Sequence, residues 1–143
     1  MSRVFTSDGT GAAVYVFSDD HCPPHVHARH RGEGWVARVS FSYINRAMEL
    51  MSIEPTRSVP LRRVVNRLLD EIRDRLPECR RSWWMIRRST CLENQWVRVL
   101  TSGKVALCDP VPGSKKIADG SYDPETRQLR LMFEDGTAQE VGL

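Results

Sequence analysis

Long apolar runs are missing from this 143-residue chain, so no segment reads as a membrane-spanning helix. Its first residues, Met1-Ser2-Arg3-Val4-Phe5-Thr6, lack the apolar stretch of a secretory signal, and the expected location is the cytoplasm. No CxxC pair occurs: Cys22, Cys79, Cys91 and Cys108 are scattered, and without a signal they read as reduced thiols rather than a disulfide framework. No Gly-rich phosphate loop follows a strand and no Gly-x-Ser-x-Gly elbow exists. Neither does any cysteine stand in a context that marks a nucleophile. Lysine is scarce, since 18 of the 21 Lys and Arg residues are arginine. Histidine is absent everywhere except residues 21–30, where all four occur.

That stretch, Asp20-His21-Cys22-Pro23-Pro24-His25-Val26-His27-Ala28-Arg29-His30, is where chemistry is to be sought. Histidine titrates nearest neutrality and is the commonest metal ligand. Charge is also unevenly spread. Residues 1–54 carry a net −1, residues 55–104 a net +7 and residues 105–143 a net −3, giving +3 overall. A basic middle beside an acidic tail is the asymmetry expected when one face meets an anionic partner.

The length suits one domain with a real core. Ala12–Phe17 reads as a strand, Pro23-Pro24 as an extended link, and Val26–His30 as a second strand. Arg31-Gly32-Glu33-Gly34 makes a hairpin turn into Trp35, Ala37, Val39, Phe41 and Tyr43, which alternate with Arg38, Ser40 and Ser42. Residues 47–53 extend the sheet. Leu61, Val64, Val65, Leu68, Leu69, Ile72 and Leu76 form one apolar stripe, so a helix is predicted from Pro60 to Leu76, N-capped by Ser58 and ended by Pro77. Residues 80–88 form a second, shorter helix or an ordered connection. A hairpin joins Gln95–Leu100 to Lys104–Cys108, and residues 109–116 read as a linker. Beyond it, Gln128–Phe133 and Asp135-Gly136-Thr137 predict a terminal hairpin that sets Leu131 opposite Val141 and Leu129 opposite Leu143. The expected fold is α+β: a small, mostly antiparallel sheet, one main amphipathic helix packed on it, and a C-terminal β-hairpin. Residues 1–108 form the His-motif domain, and residues 109–143 a linker and hairpin packed on the same domain.

Strand parity projects His25 and His27 to one face, with Val26, Ala28 and His30 on the other. Three readings stand open. The histidines serve the hairpin structurally; or His25, His27 and His21 act as acid–base or phosphate-binding groups near Arg29 and Arg31; or a transition metal, zinc first, is held by His25, His27, His21 and Asp20. Sequence cannot choose among Asp19, Asp20 and Glu33 as a further acid. A second candidate surface is Arg80, Arg81, Arg87 and Arg88 around Trp83 and Trp84, a composition suited to RNA or single-stranded nucleic acid. Its structural alternative buries the tryptophans and leaves the arginines as a solvated rim.

Residues 20–28 resemble the signature Asp-His-x-Pro-Pro-His-x-His-Ala of a family of small bacterial proteins, domain-of-unknown-function family 4160. The strand Tyr15-Val16-Phe17, the strand Val36–Phe41 and the Pro60–Leu76 helix fit the same family. The resemblance covers about the first half of the chain, which is longer than the family pattern by an inserted segment at Arg80–Arg88. It implies a component of a toxin–antitoxin-type gene pair, often beside a protein of family 2442. The tail Leu129–Gly136 is similar to the Leu-x-x-x-Phe-x-Asp-Gly core of that second family. The leading expectation is thus a toxin–antitoxin-like protein that binds or acts on RNA, with His25, His27 and His21 at the site. In that reading Arg29, Arg80, Arg81, Trp84, Arg87 and Arg88 contact nucleic acid, and a cognate antitoxin-like protein is a further partner. The alternative is a non-catalytic interaction module, zinc-bound in one version. The third is a metal-dependent hydrolase.

Overall fold

Trp35, Ala37, Val39 and Phe41 are buried while Arg38 among them is exposed, the period-two pattern of a strand with one face on a core. The computed structural model of the chain describes residues 1–142. It is α+β, with two five-stranded antiparallel sheets and two α-helices. The chain divides into two compact units: Met1–Ser42 with Arg46–Arg87, and Tyr43–Asn45 with Arg88–Leu143. The expectation of one small sheet with one helix is corrected accordingly.

In the first unit, β1 (Ser2–Thr6), β2 (Ala13–Val16), β3 (His25–His30), β4 (Trp35–Phe41) and β5 (Met48–Glu54) form a meander in chain order. Val14, Ala28 and Ala37 align across β2, β3 and β4, as do Val26 and Val39 across β3 and β4, and all five are buried. Each large aliphatic side chain so placed contributes about 1.5–3 kcal/mol relative to exposure. The opposite face carries His25, His27, Arg29, Arg38 and Tyr15.

The predicted Pro60–Leu76 helix is α1 (Arg62–Asp74), and the segment read at residues 80–88 as a second helix or ordered connection lies in α2 (Leu76–Arg87), with Arg75 between the two outside helical geometry. Pro77 stops one helix and opens the next, because a first-turn proline lacks only an N–H that had no partner there. Ser58 is not the cap. It belongs to a 3₁₀ turn at Thr56–Ser58, and Leu61, with no side-chain capping bond, precedes α1. The apolar stripe narrows in the folded chain: Leu68, Ile72 and Leu76 are buried, whereas Leu61 is exposed. α2 lies against β1 and β2, and α1 against α2. Glu71 on α1 also holds the β1–β2 loop, accepting from the Ser7 hydroxyl and from the Gly9 amide at 2.8 Å.

In the second unit, β6 (Trp96–Val99), β7 (Val105–Leu107), β8 (Lys115–Asp123), β9 (Gln128–Phe133) and β10 (Ala138–Gly142) pair in the order β10-β9-β8-β6-β7. Residues 115 and 116, read as linker, open the longest strand of this sheet. The terminal hairpin exists with a different register: Leu131 faces Gln139 and Leu129 faces Val141. The expected partner Leu143 lies outside the described residues. Phe133 and Thr137 close a three-residue loop, Glu134-Asp135-Gly136, and Gly136 takes φ 86° at its last position. Alanine there would sit in the left-handed region, so Gly136→Ala should lower stability by about 1–2 kcal/mol in urea titration.

Cys79 and Cys108 are free thiols, whereas Cys22 and Cys91 each belong to a disulfide, which corrects the reading of four reduced cysteines. Linear spacing carries no information about the roughly 5.5 Å Cα separation that a disulfide needs. Burial, with the charge of Glu78 behind it, pushes the Cys79 thiol up to about 12. Cys79 should therefore resist iodoacetamide at pH 8 in the native protein and react once unfolded, as mass spectrometry would show. Among the described residues no helix is long and apolar enough to cross a membrane.

Candidate metal centre

β3 presents His25 and His27 side by side because residues two apart share a face, and their ring centroids lie 5.0 Å apart. A turn brings Asp20 to them. The Asp20 amide donates to the Phe17 carbonyl at 3.2 Å, and Asp20 Oδ2 accepts from the Phe17 N–H at 2.9 Å. The other oxygen, Oδ1, is then aimed at the rings, 2.9 Å from His27 Nε2 and 3.4 Å from His25 Nε2. All three residues are buried, and one ligand atom from each lies within 4.8 Å of the others. Ligands at about 2.05 Å from a tetrahedral zinc stand about 3.3 Å from one another. The Asp20 separations bracket that spacing, and a buried Asp20/His25/His27 group of this shape could hold a metal ion.

The surroundings fix ring orientation. His25 Nδ1 lies 2.8 Å from the Pro23 carbonyl oxygen, which can only accept, so Nδ1 carries a proton. In the neutral ring Nε2 then turns a lone pair toward the Asp20 carboxylate, and two acceptors face each other across 3.4 Å. Such a pair needs a proton or a cation between its members. A backbone carbonyl behind a histidine is also the usual outer support of a metal-ligating ring. Trp83 of α2 stands 5.4 Å from the His25 ring, and Phe17 meets the His27 ring edge-on at 4.6 Å.

Burial holds His27 below its ordinary value of 6.5, against the hydrogen bond and charge of Asp20, with the His25 and Arg38 charges adding to the lowering. For Asp20, burial raises the pKa, but the Phe17 amide and the His27 bond and charge outweigh it and keep the carboxyl below its usual range. Both shifts have the same sign for stability. A group whose folded pKa is depressed stabilises the fold above its unfolded value and loses that contribution as pH falls through the folded one. Acidification from pH 7 should therefore destabilise the first unit, beginning near 6.5 through His27. Thermal melts of the metal-free protein between pH 7.5 and 5 would show the slope, and His27→Gln should flatten it.

The remaining predicted site residues lie apart from this group. His21 and Cys22 are exposed in the link that precedes β3, and His21 is not among the clustered ligands. His30 faces the other way, stacked on Trp35 at 5.4 Å, with its Nδ1 accepting from the Glu33 amide. Glu33 accepts from the Trp35 indole and is not among the clustered ligands. Asp19 is exposed and shares a cavity with Asp20. The arginine–tryptophan segment divides between residues committed to the fold and residues at the surface. Arg80 is buried with Nε and Nη2 donating to the Ser42 carbonyl, Arg87 donates to the Ser18 carbonyl at 3.2 Å, and Trp83 is fully buried. Arg81 is exposed on α2, Trp84 is half-buried there, and Arg88 belongs to the second unit. In place of this segment, Arg38, Arg31, Tyr15 and Phe17 line the cavity beside Asp20 and His27, together with Arg29. Arg38 is the cross-strand partner of His27. Its polar position in the β4 alternation was the only sequence signal for it.

No protein-family model, curated protein or solved structure matches the chain. The likeness of residues 20–28 to the family signature therefore rests on that motif.

Proposed function

We propose that the Asp20–His25–His27 group binds one divalent transition metal, zinc first, and that the protein is a metal-dependent hydrolase. The observation that carries this is the His25 Nε2 lone pair facing Asp20 Oδ1 at 3.4 Å while Nδ1 is committed to Pro23. Two imidazoles and one carboxylate suit zinc, and three protein ligands leave a fourth position for water. Structural zinc sites close that position with a fourth side chain, and none joins the group among the described residues. Asp20 and His27 also line a cavity of about 430 Å³, so the open position has room for a substrate. Bound metal would supply a water acidic enough to be hydroxide near neutral pH. The toxin–antitoxin setting implied by the motif adds RNA as the substrate to try first.

Metal analysis after purification, followed by zinc titration calorimetry, tests the reading. One equivalent of zinc is expected, lost in the His25→Ala/His27→Ala variant. A protein that takes up no first-row divalent ion would overturn it and favour the second reading, a metal-free group in which the histidines and Asp20 serve the fold through their hydrogen bonds. Growth arrest on expression, relieved in the same double variant, would support the toxin–antitoxin setting.

A further inference from the structure

Beyond the three ligands, the outer face of the first sheet gathers three arginines around the cavity that Asp19 and Asp20 also line. Arg29, Arg31 and Arg38 are exposed, and among the described residues none of them makes an ion pair. Register places them around the site. Arg38 lies directly across from His27, with Cβ atoms about 5 Å apart. Arg29 follows His27 by two residues on the same strand face, about 6.7 Å along. All three line the 430 Å³ cavity with Asp20, His27 and Phe17. That volume lies within the roughly 300–1,000 Å³ of small-molecule sites. The field is felt nearby: the Tyr15 hydroxyl is held below its ordinary value by the Arg3 hydrogen bond and by the charges of Arg3, Arg31 and Arg29, against burial. A second cavity, of about 650 Å³, adjoins the first, because His27, Val36 and Arg38 line both.

The geometry points to a nucleotide phosphate as the ligand of this cavity. The guanidinium groups of Arg29, Arg31 and Arg38 bind its oxygens, Phe17 offers the base an aromatic contact, and the phosphorus sits beside Asp20 and His27. Arginine's planar fork matches phosphate oxygens bidentately, and aromatic rings take bases of any sequence. The binding stands on the arginines alone; only the chemistry rests on the metal reading. In that chemistry a metal held by Asp20, His25 and His27 would supply the attacking water. On a phosphodiester the water's oxygen would bond to phosphorus as the P–O bond to the leaving group breaks, its proton passing to solvent and the departing oxygen taking one from water, to give a phosphate monoester and an alcohol. On a nucleoside monophosphate the same exchange would give inorganic phosphate and the nucleoside.

Equilibrium binding of adenosine monophosphate and of a short single-stranded RNA, with and without zinc, tests this on the full chain. Arg29→Ala/Arg38→Ala should weaken both probes by about 10-fold or more per arginine, as befits hydrogen bonds to a charged group. For RNA, each lost arginine should also reduce the slope of log affinity against log salt by about 0.7. Zinc stoichiometry should be unchanged. Equal affinity for the two probes assigns a free nucleotide, and tighter RNA binding a chain that runs on into the second cavity. Wild-type protein that binds neither probe at low salt, or a double variant that binds both as well as wild type, overturns the proposal. Arginine-dependent binding in a protein that takes up no zinc overturns the metal reading alone. Arg63→Ala, exposed on α1, is the control and should leave both affinities unaltered.

Discussion

Asp20→Asn is expected to lower zinc affinity by roughly a hundredfold while leaving the fold in place. Zinc binding of about 10–16 kcal/mol is divided among some four ligands, so the loss of one is worth about 3 kcal/mol. Asparagine keeps an oxygen that can accept from the Phe17 amide, so the turn that aims residue 20 survives. It cannot supply the negative charge that faces His25 and His27 across 3.4 and 2.9 Å. Titration calorimetry measures the affinity directly. Melting provides an independent reading, because zinc at a hundred times its Kd should stabilise wild type by about 2.7 kcal/mol and the variant by far less. Equal zinc affinity in the two proteins would remove Asp20 from the ligand set and leave two imidazoles, too few for the proposed centre.

Why Asp20 and not Asp19 could not be read from the chain shows where sequence reasoning ends. Both acids precede the link, and only the Phe17–Asp20 turn decides which carboxylate enters. The histidine pair was legible because parity is a local rule, and His30 was separable from it for the same reason. Arg38 was not legible as a site residue, since its place beside His27 depends on the β3–β4 register. Conversely, composition alone cannot show that, within the Arg80–Arg88 segment, Arg80 is committed to the Ser42 carbonyl.

The same division runs through the fold. β4 announced itself by alternation, and the Leu68–Ile72–Leu76 stripe by its helical period. β8 did not, because a register shift between Ile117 and Asp119 breaks its pattern: Ile117 is buried on one parity, Gly120 and Tyr122 on the other. β1 is short, polar at both ends and on the sheet edge, so neither signal was present. In the terminal hairpin the loop length was foreseen, but its position was not. Gly136 closes the loop with φ 86° instead of occupying its middle, which moves each strand pairing by two and leaves every side chain on the same face.

Trp83→Ala should be the most damaging single change in the first unit, lowering stability by about 3–5 kcal/mol. Trp83 has no exposed surface and meets the Phe41 ring edge-on at 6.5 Å. It also stands 5.4 Å from the His25 ring, so the side chain joins α2 to the candidate centre. Two effects are therefore expected and can be separated. Trp83→Phe keeps an aromatic wall and should cost less in urea denaturation than the alanine variant. Zinc affinity, measured well below the unfolding midpoint, should fall more in the alanine variant, because His25 would keep its Pro23 bond but lose the ring that limits its tilt. If both variants lose stability yet bind zinc as wild type does, Trp83 is core alone, and the Pro23 carbonyl by itself orients His25.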